Sequence, residues 1–92
     1  MPAKITVTKS DEETFEVRIT EANSESRHTV TLKDADYQRL SEEKIPREEL
    51  IRRSFEFLLL REPKESILAT FNLTVISRYF PTYEREIKSG LT

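Results

Sequence analysis

The 92-residue sequence contains no cysteine and no tryptophan, and it has one glycine and one histidine. Without cysteine there are no disulfides, thiolate nucleophiles or ordinary Cys/His zinc sites. A single glycine cannot write G-x-G-x-x-G or a P-loop, so glycine-rich phosphate cradles are excluded. Apolar runs are short: none reaches the roughly 18 residues of a membrane-spanning helix. The opening MPAKITVTKS lacks the apolar stretch of a secretory leader, so a cytoplasmic protein is expected. Neither sign of charge dominates. The net charge of −2 gives no general attraction to nucleic acid or to an anionic membrane.

What is present is charge and a modest apolar set. Charged residues make up 35% of the chain and hydrophobic ones 36%, against about 25% and about 45–50% in ordinary globular proteins. Val, Ile, Leu and Phe still number 25, above the composition at which disorder is the default. The length suits one domain over residues 1–92, with a β part over about 4–33 and a helical part over about 34–88.

The first third alternates with period two. Ile5 and Val7, then Phe15, Val17 and Ile19, then His28, Val30 and Leu32 share a parity. β-branched residues at that period predict strands with one buried face. The connectors around 10–13 and 22–25 are short and polar, which predicts a three-strand antiparallel meander. Its other face is polar, with Thr6, Thr8, Glu16, Arg18, Arg27, Thr29 and Thr31.

After Lys33 the period becomes helical. Asp34 is expected to cap a short helix carrying Tyr37 and Leu40. Ile45-Pro46 breaks it, and Pro46 opens a long helix over 47–61. There Ile51, Phe55, Leu58 and Leu59 form one apolar stripe, while Leu50, Phe57 and Leu60 lie on nearly the opposite side. A helix apolar on two sides needs two covers. One is the sheet; the other is the C-terminal third or a second copy of the chain. Beyond Glu62-Pro63, helical spacing of Ile67, Leu68 and Phe71 predicts a helix closed by Asn72. A second follows, capped by Thr74, with Val75, Ile76, Tyr79 and Phe80 inward, and a last one carries Tyr83 and Ile87.

No group of residues assembles a nucleophile, a base and an orienting partner. His28 is read as a packed or edge histidine, because nothing indicates a Ser/Asp partner for it. Asp34 and Asp36 diverge on a helix and are read as a cap and a first-turn charge. Arg52 and Arg53 have glutamates one turn earlier. A non-enzyme without metal or cofactor is expected.

Two resemblances add to this. The segments SFEFLLLREPKESIL (54–68) and ISRYFPTYE (76–84) resemble a family of small bacterial proteins without assigned activity, which implies a bacterial source. Residues 27–61 also resemble ribbon-helix-helix DNA-binding regulators and antitoxins: strand, short helix, turn, helix. That resemblance implies Arg27, Thr29 and Thr31 as base-reading residues on a dimeric ribbon. Acidic Glu48 and Glu49, a short first helix and two preceding strands depart from that pattern.

The expected fold is α+β, a three-strand antiparallel meander on a long helix followed by short C-terminal helices. The expected function is a small, non-catalytic protein–protein interaction or accessory module. Its partner is an unidentified protein, with a homodimer as one arrangement, and neither nucleic acid nor membrane. Leu50, Phe57 and Leu60 are the candidate partner surface. The alternative is the ribbon-helix-helix-like DNA binder, with Arg27, Thr29 and Thr31 as its contacts.

Overall fold

The computed structural model describes residues 3–90. It is a mixed α/β fold with a four-stranded, mostly antiparallel sheet and four helices. Strands β1 (Lys4–Lys9), β2 (Thr14–Glu21) and β3 (Ser24–Thr31) pair antiparallel in sequence order. Two local devices make the first hairpin. The Asp11 carboxylate accepts the backbone N–H groups of Glu13 and Thr14 at 3.0 and 2.9 Å. Those bonds satisfy the loop and hold the Asp11 carboxyl below its ordinary pKa. The Ser10 N–H meanwhile reaches the Thr14 carbonyl at 2.8 Å. The second hairpin turns at Ala22, which adopts φ 29°.

Helix α1 (Asp34–Ser41) follows, with Lys33 rather than Asp34 at the N-cap. Its Tyr37 hydroxyl donates to the Ile45 carbonyl at 2.6 Å and so fixes the turn into α2 (Arg47–Leu59). The long helix is two residues shorter than its sequence pattern suggested: the Arg61 N–H turns to the Leu58 carbonyl at 2.9 Å, a tighter closure than helical spacing.

The predicted helix around 67–72 is instead a strand. After a single 3-10 turn at Lys64–Ser66, β4 (Thr70–Asn72) lies parallel to β3, with Val30 opposite Phe71. A parallel neighbour needs a long crossover, and α1 and α2 provide it. The reason a strand wins is the open edge of β3. Its Thr29 N–H donates to the Ala69 carbonyl at 2.7 Å, and its Thr31 carbonyl accepts the Leu73 N–H at 2.9 Å. A buried backbone group left unpaired would cost as much as a lost hydrogen bond. The meander is therefore the antiparallel part of a larger sheet.

Helices α3 (Val75–Tyr79) and α4 (Tyr83–Ser89) complete the chain. Asn72 starts α3 through its side chain, which accepts the Thr74 N–H at 2.9 Å and its hydroxyl at 2.7 Å. One apolar core joins all these elements. Phe55, on one side of α2, meets Phe71 with ring centroids 5.9 Å apart, beneath Phe15, Val17, Ile19 and Val30. Phe57, on the other side, meets Phe80 at 5.8 Å and Tyr83 at 5.3 Å. Ion pairs tie the C-terminal helices down: Arg39 to Glu84 at 2.5 Å and Arg61 to Glu86 at 2.8 Å. Among the described residues, no helix is long and apolar enough to cross a membrane.

Candidate functional site

Leu50, Phe57 and Leu60 do not form one surface. Leu50 and Phe57 are buried in the chain's own core, and only Leu60 stands in solvent, 84% exposed. The C-terminal third provides the cover for Phe57, and the Arg61 guanidinium closes the remaining gap 3.6 Å above its ring. A partner surface made of all three residues is thus not available on the folded chain.

Arg27, Thr29 and Thr31 lie on the outer face of the sheet, opposite the buried His28 and Val30. That face carries both signs of charge. Glu25 pairs with Arg18 at 2.8 Å and approaches Arg27 at 3.7 Å. Arg27 thus spends part of its charge on a neighbouring carboxylate. β3 is bonded to β2 along its whole length and to β4 over residues 29–31.

His28 is a packed histidine. Its Nδ1 lies 2.7 Å from the Leu68 carbonyl and its Nε2 2.9 Å from the Ser26 hydroxyl. Its ring sits 5.5 Å from that of Phe55. Both nitrogens are used to join β3 to the segment entering β4. Arg52 and Arg53 are likewise committed. Both bind Glu49, at 2.6–2.8 Å, and their hydrogen bonds, Arg52's first, push the Glu49 pKa down to about 2. Tyr83 is fully buried against Ser54 at 2.6 Å, and burial raises its pKa. Lys64 is buried between Glu65 at 2.5 Å and Glu21 at 3.1 Å. Among the described residues no three His, Asp or Glu side chains gather as a metal site.

Two hollows border the remaining exposed apolar residues. The first, about 190 Å³, has Leu58, Ile67, Phe71, Val75 and Ile76 in its wall, with Leu68 and Tyr79 beside it. Leu68 and Tyr79 are 48% and 68% exposed. The second, about 620 Å³, lies between β1 and the end of α2 and is lined by Ala3, Ile5, Leu59 and Leu60 with Glu21, Glu56 and Glu62. Glu62 belongs to both.

The sequence pattern put Leu68 and Tyr79 among inward residues, so the first hollow was missed. One signal was available for Leu68. Ile67, Phe71 and Leu73 are spaced by even numbers and are all buried, while Leu68, Thr70 and Asn72 alternate outward. Comparison of the chain with models of known protein families, with curated proteins and with solved structures found no match in any of the three.

Proposed function

We propose that this protein is a small, non-catalytic protein–protein interaction module, and that it receives an apolar side chain of its partner in the hollow flanked by Leu68 and Tyr79. One observation supports this above the others. Leu68 and Tyr79 are two of the three large hydrophobic residues exposed among those described, and they border the same apolar hollow. Its volume of about 190 Å³ exceeds the ~150 Å³ apolar cavity that admits a benzene ring. Tyrosine suits such a rim because its ring offers contact area at low entropic cost and its hydroxyl stays hydrated.

The ribbon-helix-helix alternative needs a ribbon that pairs with its own copy. Here β3 already has β2 on one edge and β4 on part of the other. The net charge of −2 also provides no phosphate-binding field.

A photo-crosslinking side chain placed at Tyr79, in extract of the native cells, tests the reading. A dominant protein adduct is expected that weakens with Leu68→Asp. No such adduct should form from the same crosslinker at Thr6 on the polar sheet face. Equal adduct patterns from both positions, or none from Tyr79, would refute the proposal.

A further inference from the structure

The sheet has one long open edge, and the hydrogen-bond alternation says which groups it offers. The Leu32 N–H donates to the Glu13 carbonyl at 2.7 Å, and the Ser10 N–H to that of Thr14 at 2.8 Å. In an antiparallel ladder the bonding direction alternates residue by residue. The odd residues of β2 therefore bond to β3 and the even ones to β1. By the register, Lys4, Thr6 and Thr8 face β2, and the main-chain groups of Ile5, Val7 and Lys9 point out from the free edge of β1. The strand runs six residues in unbroken register and contains no proline. Such an edge is a template for another strand.

We propose that the occupant is a second copy of this chain, with β1 pairing antiparallel to the partner's β1 about a two-fold axis at Thr6. This surface shares only Glu62 with the hollow beside Tyr79, and the inference does not rest on the reading of that hollow. A two-fold axis perpendicular to the sheet keeps each side chain on its own face, so only same-parity residues can pair. Pairing Thr6 with the partner's Thr6 sets Ile5 against the partner's Val7 on the helix side. It sets Lys4 against the partner's Thr8 on the outer side. No lysine then faces a lysine.

Charge and shape fit the same register. Lys9 falls opposite the partner's Ala3, and its side chain shares the parity of Ile5 and Val7. The hollow beside Ala3 and Ile5 is bordered by Glu21, Glu56 and Glu62. Glu21 is held by Lys64 and Glu56 by Arg52. Neither Glu62 nor Lys9 enters an ion pair among the described residues. The partner's Lys9 thus meets an acidic rim that has a carboxylate to spare. Val7 of the partner meets Leu59 and Leu60, the latter 84% exposed within one chain.

Analytical ultracentrifugation of the whole chain should give twice the 10.8 kDa chain mass at high concentration. Val7→Pro removes an outward-facing N–H, together with a side chain that packs partly against the core, and should return a monomer that is still folded by circular dichroism. Lys9→Glu should weaken the dimer at least tenfold, and Lys9→Glu with Glu62→Lys should restore it. Because the chain has no cysteine, Thr6→Cys is a decisive second variant. Facing residues of a non-hydrogen-bonded pair stand about 4.5 Å apart at Cα, within the ~4.4–6.8 Å a disulfide spans. Mild oxidation should lock Thr6→Cys, but not Thr8→Cys, into a covalent dimer. A parent that stays monomeric at its highest soluble concentration, or equal crosslinking at both positions, would overturn the proposal.

Discussion

On its sheet side, α2 places Phe55 beneath strands joined by short hairpins, where main-chain ladders hold the cover together. On its other side, Phe57 is covered by Phe80 and Tyr83, more than twenty residues further along the chain. That second cover consists of a five-residue and a seven-residue helix, both too short to persist without packing. Its polar anchors are the Arg39–Glu84 and Arg61–Glu86 pairs and the buried Ser54–Tyr83 contact. One helix is thus held from one side by a cooperative ladder and from the other by separable contacts. The second side should therefore loosen first.

The largest effects come from the two phenylalanines. Phe55→Ala and Phe57→Ala should each cost about 3–5 kcal/mol, with Phe55 at the upper end because it is fully buried. Denaturant melts check the ranking, and an equal or reversed order would break the comparison. Tyr83→Phe should cost about 1 kcal/mol, since the Ser54 hydroxyl keeps its bond to the Leu50 carbonyl at 2.8 Å.

Acid should separate the two sides. Hydrogen bonds from Arg39 lower the Glu84 pKa, and those from Thr82 and then Arg61 lower that of Glu86. A carboxyl whose folded pKa is depressed contributes stability above its unfolded pKa and loses it as pH falls through the folded one. The contribution of Glu49 should accordingly be complete above its ordinary pKa of 4.5 and vanish as pH falls towards about 2. Followed by NMR as pH falls below the ordinary carboxylate range, protection from amide exchange, taken relative to the intrinsic rate at each pH, should be lost in α4 before β2. Simultaneous loss would make the two covers one unit.

The smallest effect belongs to the hairpin at Ala22. Its φ of 29° lies in the region that L side chains resist. Ala22→Gly should raise stability by a few tenths to ~1 kcal/mol, seen as a higher Tm with α4 exchange unchanged.

The strands of the meander were legible because Phe15, Val17 and Ile19 alternate with Glu16 and Arg18, a pattern only a one-sided sheet explains. The helix of residues 47–59 was legible from its stripe and from Pro46. Residues 67–73 were not, because Ile67 and Phe71 are four apart and that spacing satisfies both a helix and a strand. Of the candidate site, Leu60 was legible only as part of an apolar helix side that needed a cover, and its exposure was not. The fates of Leu50 and Phe57 were not, since a helical wheel records direction and not what stands opposite.

The information legible in the chain is therefore local. It comprises the period of each segment, the breaks at Pro46 and Pro63, the absence of thiol chemistry and the near-neutral charge. These follow from single residues and their immediate neighbours. The tertiary structure alone decided which side of α2 would be closed, that β4 would join β3, and that Leu60, Leu68 and Tyr79 would remain in solvent. The physical reason is that an unpaired backbone edge and an uncovered apolar face set their demands in space. The residues that satisfy them, such as Ala69 for Thr29 and Tyr83 for Ser54, lie tens of positions away in sequence.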